Sequence, residues 1–176
     1  QASGILCGRR DLIMAAALQH LDLDVYWDMW TPPPTLIDKR RLKGAPQHGI
    51  GRSCKAGKEE IAGLLTALRL FVAEGDKARH ARWLALLQTV QSGLGRTKGV
   101  VPSLSGAEDT AAVPSLHLSF QREGRAAEVA LLLQSQSPAI HVDAFLRQQN
   151  TLAINPMCID PGQVTALLRG LRKAMA

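Results

Sequence analysis

The feature that most constrains this chain is a change of period at residues 93–95. Before it, apolar residues recur at helical spacing; after it, they alternate. Residues 58–73 carry Ile61, Leu64, Leu65, Leu68 and Val72 as one stripe, with Gly75 placed to end a helix. Residues 76–90 follow as a second helix, with Asp76 as cap and Trp83, Leu84, Leu87 and Val90 inward. Lys77, Arg79 and Arg82 are expected on its solvated face, with His80 as a surface histidine. Gly93 and Gly95 break this helix. Beyond them residues 99–104 predict a strand and 105–112 a polar turn. Residues 114–120 alternate, which puts Leu116, Leu118 and Phe120 on one side and His117 toward solvent. A helix is expected over 125–134 and strands over 139–142 and 151–155. A last helix starts at Asp160-Pro161, where Pro takes the first helical position, with Val164, Leu167, Leu168 and Leu171 inward. The order helix, helix, strand, strand, helix, strand, strand, helix predicts an antiparallel sheet with helices on one face.

The first 57 residues differ in character. Residues 3–8 predict a short apolar strand. Residues 9–21 predict a helix whose buried side carries Leu12, Ile13, Ala16, Ala17, His20 and Leu21. A strand so near the start needs ladder partners from later strands or from upstream sequence, so this half reads as the end of something larger. Residues 22–47 are irregular, with Tyr26, Trp27, Trp30 and a triple proline at 32–34. Loops of this length tend to be functional or disordered, and the aromatic residues argue against disorder. A lid or subunit contact and a loop tucked onto its own domain both fit. Asp38-Lys39-Arg40-Arg41-Leu42-Lys43 reads as a solvated loop.

The candidate site is the stretch Gln47-His48-Gly49-Ile50-Gly51-Arg52-Ser53-Cys54-Lys55-Ala56-Gly57-Lys58 and the helix it enters. Its glycines permit positive φ and close approach to a ligand. Arg52, Lys55 and Lys58 recur at steps of three and share one face if the helix reaches back that far. Cations oppose the dipole at a helix N-terminus, so such a cluster suits a bound phosphate, sulfate or carboxylate. His48 is the histidine best placed to join it. An ordinary loop with solvated cations is the plain alternative. Cys54 is a small loop residue or, beside Lys55, a reactive thiol.

Other classes find no support. The net charge of +6, from 21 basic and 15 acidic residues, is spread along the chain and does not imply nucleic acid. Three cysteines without metal spacing exclude a sequence-marked zinc site and fit a cytoplasmic protein. No apolar run approaches the roughly 20 residues needed to span a bilayer. No hydrolase, zincin or Walker motif occurs.

Two stretches carry a family resemblance. Gln1-Ala2-Ser3-Gly4-Ile5-Leu6-Cys7-Gly8-Arg9-Arg10-Asp11-Leu12-Ile13 resembles the segment after the cofactor lysine in selenocysteine-synthase-like enzymes. These are the seryl-tRNA(Sec) selenium transferases and their metabolic relatives, pyridoxal-phosphate proteins of fold type I. Residues 48–64 resemble the family's basic loop and the long helix joining its large and small domains. The resemblance covers essentially the whole chain. It implies an α/β fold, the C-terminal part of a type I pyridoxal-phosphate transferase fold. Residues 1–57 would end the large domain, and 58–176 would form the linking helix and an α+β small domain.

The resemblance also implies a function. The parent enzyme would use pyridoxal 5'-phosphate as electron sink for β-elimination or replacement on a small amino-acid-type substrate. None of Lys39, Lys43, Lys55 or Lys58 stands in the context of the cofactor lysine. That lysine is expected upstream of Gln1, and the chain alone is expected to be inactive. Arg52 and Lys55 match two basic positions that bind anionic substrate. The second is usually arginine, so Lys55 keeps charge without bidentate geometry. Gln1 matches a cofactor-proximal glutamine. The stretch 22–47 is more like the metabolic branch, which includes ammonia lyases acting on amino-sugar acid phosphates. Selenium transfer on tRNA is the second reading. A non-catalytic module for anion binding or assembly is the third. Family members imply a homo-oligomer, at least a dimer, in the cytoplasm and off the membrane.

Overall fold

The computed structural model describes residues 4–21, 25–44 and 49–176. The chain forms two compact units, Gln1–Phe71 and Val72–Ala176, which meet inside a helix. The described residues contain five α-helices and one three-stranded sheet.

In the first unit, α1 spans Arg10–Gln19, with Asp11 in its first turn where negative charge is favourable. Its buried side is rotated from the expected one. Met14 is buried, whereas Leu12 is 58% exposed. Ala17, Leu18 and Leu21 pack with Met14 around Trp30 and Ile37. The segment 25–44 is thus tucked onto α1, and supplies most of a small core. Two turns shape it: the amides of Met29 and Trp30 donate to the Tyr26 carbonyl, and those of Leu36 and Ile37 to the Pro33 carbonyl. Asp38 caps a 3-10 turn at Lys39–Arg41. The basic run is not simply solvated, because Lys39 Nζ donates to the carbonyls of Trp27 and Trp30.

The expected strand near the start does not form over residues 4–8. Strands exist only with ladder partners, and all the strands described here lie in the second unit.

The joining helix, α2, spans Lys58–Glu74. It confirms the helical period but contains no buried residue. Ile61, Leu65 and Leu68 are all exposed. An apolar helix stripe normally faces a core.

In the second unit, α3 spans Asp76–Leu94, β1 Val100–Ser105, β2 Ser115–Phe120, α4 Arg125–Gln134, β3 Thr151–Ile154 and α5 Val164–Met175. The sheet order is β1-β2-β3, antiparallel throughout, with Val100 opposite Phe120 and Leu118 opposite Leu152. Leu116, Leu118 and Phe120 bury as their alternation predicts. They meet Leu87 and Val90 of α3, Val129 and Leu133 of α4 and Leu171 of α5 in one core. Each fully buried leucine there is worth about 2–3 kcal/mol in transfer free energy.

Three expectations fail in this unit. Residues 139–142 make no strand; one isolated bridge, Asp143 to Ala153, is all that pairs there. Gly93 lies inside α3, where its bare Cα leaves room for the Leu168 side chain, and Gly95, at φ 62, ends the helix. Arg79 and His80 are buried rather than solvated. Arg79 donates to Asp76 at 2.9 Å and Glu74 at 3.3 Å, and the His80 ring bonds the Gly106 carbonyl at 2.9 Å.

Asn150 ties the sheet to α4. It takes a left-handed backbone at φ 54, accepts from the Ala126 amide at 3.1 Å and donates to the carbonyls of Phe120 and Arg122. One of the otherwise unpaired first-turn amides of α4 is satisfied this way. Asp160 and Gln163 form a reciprocal capping box ahead of α5. No described helix is long and apolar enough to cross a membrane.

Candidate functional site

The glycine loop is built against the end of α1. The Gly51 amide donates to the Gln19 carbonyl at 2.9 Å, and the Gly49 amide to the Leu21 carbonyl at 3.1 Å. These bonds satisfy carbonyls that the end of a helix leaves unpaired. A Cβ on Gly49 would run into the Gln19 backbone, and one on Gly51 would meet the His20 ring at 3.0 Å. Close approach therefore explains these glycines. Positive φ does not, since Gly49, Gly51 and Gly57 all lie outside that region. The two amides face α1 and are not offered to a ligand.

After Gly51 the chain makes a 3-10 turn, Arg52–Cys54, and then extends at Lys55, with ψ 139. The helix begins only at Lys58. Arg52, Lys55 and Lys58 consequently do not share a helical face, although all three are exposed within one short segment. Glu59 and Glu60 occupy the first turn of α2. The Glu60 carboxylate lies where a side chain on Gly57 would stand. The chain's own acids thus take up the favourable field at this helix N-terminus. Any bound anion is left to the side chains.

His20 is the group that sequence spacing missed. It follows the last residue of α1, and its ring lies against Gly51, next in sequence to Arg52. Only the fold brings it to the loop. Cys54 is exposed, with its sulfur 3.8 Å from the Ser53 hydroxyl. His48 and Gln1 lie outside the described residues.

A carbonyl cofactor needs a desolvated lysine with a lowered pKa. Every lysine of the chain is at least partly exposed. Lys39 is already engaged by two carbonyls and the Trp27 ring. Among the described residues no cluster of His, Cys, Asp and Glu is suited to a metal ion. The segment can bind and orient an anionic group.

Against this geometry the chain has two informative relatives. No protein-family model matches it. It is similar to a 5'-C-glycyluridine monooxygenase-decarboxylase from Streptomyces sp., with 23% identity over 176 residues, 98% of this chain and 37% of that protein. Its fold matches the solved structure of a D-glucosaminate-6-phosphate ammonia-lyase, with a TM-score of 0.60 and 22% identity. That match covers 82% of this chain and 38% of the lyase. Both relatives are enzymes, and the chain spans a little over a third of the length of each. The mixed α/β architecture is therefore a partial fold of the kind found in the ammonia-lyase.

Proposed function

We propose that this chain is the C-terminal portion of a pyridoxal-phosphate-dependent lyase of the metabolic, selenocysteine-synthase-like branch. The observation that carries the reading is the fold likeness to the ammonia-lyase over 82% of the chain, joined to the motif resemblance at residues 1–13 and 48–64. Both relatives are named for substrates that join a sugar to an amino or glycyl group. A sugar-derived amino acid with a carboxylate or phosphate is the substrate class we assign.

The cofactor would supply the electron sink for bond breaking next to the amino group. The contribution of this chain is binding and orientation. Arg52 offers a planar fork to a carboxylate or phosphate, and Lys55 adds a point charge beside it. Lys58 extends this cationic set, and the sequence resemblance alone assigns His48 to the same anion and Gln1 to the cofactor's neighbourhood. The exposed stripe of Ile61, Leu65 and Leu68 is covered in the assembled parent protein, which is at least a dimer.

The direct test is release of ammonia from D-glucosaminate 6-phosphate by the full-length protein supplied with pyridoxal phosphate. Ammonia release supports the lyase reading. No release, together with a specific and salt-sensitive complex with tRNA, shifts the assignment to selenium transfer.

A further inference from the structure

Five cations of the second unit gather only in three dimensions. Two adjoining hollows, of about 480 and 500 Å³, meet at Lys98, Met175 and Ala176. Arg122 and Arg125 line the first, Arg96 and Arg172 the second, and Lys98 both. We propose that this trough, with Lys98 at its centre and a pair of arginines in each lobe, binds a ligand carrying two or more linked phosphate groups.

The charge balance favours a ligand of that kind. No aspartate or glutamate lines either hollow. Glu128 accepts from both terminal nitrogens of Arg122, one at 2.9 Å, and from Arg125 at 3.3 Å, so these two arginines bring only part of their charge to the trough. Arg96 and Lys98 are exposed and form no ion pair among the described residues.

Two of the arginines are held in place by backbone carbonyls. Arg125 donates to the Ala174 carbonyl at 3.1 Å, and Arg172 to that of Gly93. An arginine already fixed through one nitrogen loses less freedom when its remaining donors meet an anion. A single phosphate would fill one lobe; linked phosphates reach both, with Lys98 shared between them. Phe120 is the one aromatic residue lining the trough, and it is 7% exposed. Base stacking therefore contributes nothing, and recognition is of phosphate.

The test is calorimetric titration of the full chain with inorganic tripolyphosphate and, separately, with orthophosphate, at low salt. The expected result is saturable tripolyphosphate binding at least about ten-fold tighter than orthophosphate, weakening with added salt. Lys98→Met and Arg96→Met, both exposed changes, should each weaken it about five-fold or more, while Lys77→Met on α3 leaves it unchanged. Equal affinity for the two probes, or full binding in Lys98→Met, overturns the proposal. A short single-stranded RNA separates the two sources of linked phosphate. Binding tighter than tripolyphosphate assigns a phosphodiester backbone, and weaker binding assigns a free polyphosphate ester.

Discussion

The Lys39 ammonium lies 4.5 Å from the centre of the Trp27 ring and donates to the Trp30 carbonyl at 2.8 Å. One cation from a basic run thereby closes the small core around Met14, Trp30 and Ile37. Lys39→Met keeps the aliphatic stem and removes both interactions. It should cost the first unit about 1–2 kcal/mol, read as an earlier urea midpoint at unchanged slope. Lys43→Met, in the same run and exposed, should cost almost nothing.

The bond between His80 and Gly106 joins α3 to the turn after β1. His80→Ala leaves a carbonyl without its partner and opens a void, for a loss of about 2–3 kcal/mol in thermal or chemical unfolding. Replacing the exposed His141 should change stability by less than about 0.5 kcal/mol.

Gly170 sits in α5 with its carbonyl accepting from Gln136 at 3.0 Å. A Cβ at this position would collide with the Ile140 side chain and come within 2.9 Å of Gln136 Oε1. Substitution of a helical glycine usually gains about 0.5–1 kcal/mol. Here overpacking of about 1–3 kcal/mol outweighs it, so Gly170→Val should melt earlier than the parent chain.

Glu128 is bound by Arg122 and then by Arg125, and these hydrogen bonds hold its carboxyl down to about 2, against an ordinary value of 4.5. A depressed acid contributes stability above its unfolded value and loses it as pH falls through the folded one. The contribution should therefore be intact above about 4.5 and fade between there and about 2. The carboxyl carbon shift in NMR follows it directly. Arg122→Gln should move the midpoint back up toward 4.5.

Arg52 carries the strongest functional expectation. Arg52→Ala in the full-length enzyme should lower kcat/KM by about 100-fold. Arg52→Lys should recover only part of the loss, because the fork geometry is gone. Unchanged kinetics would remove this residue from substrate binding.

Sequence periodicity located α2, α3, α4, α5, β1, β2 and β3, because each buries or repeats on a regular face. It failed where the partner is distant in the chain. Residues 139–142 have strand composition, but the fold gives them only one bridge, through Asp143. Arg79 and His80 read as solvated because charge is normally outside; in the fold His80 bonds the Gly106 carbonyl and Arg79 is engaged by Asp76 and Glu74. The cations of the candidate loop were legible, and the reason for its glycines was not, since that reason is the end of α1. The trough cations of the second unit have no sequence spacing at all.

The most direct test of the whole account is an absorbance spectrum of the full-length protein with pyridoxal phosphate, before and after borohydride, followed by peptide mapping. The account predicts a visible band that borohydride abolishes, with the reduced cofactor attached to a lysine upstream of Gln1. Absence of the band, or a label on Lys39, Lys55 or Lys58, would contradict it.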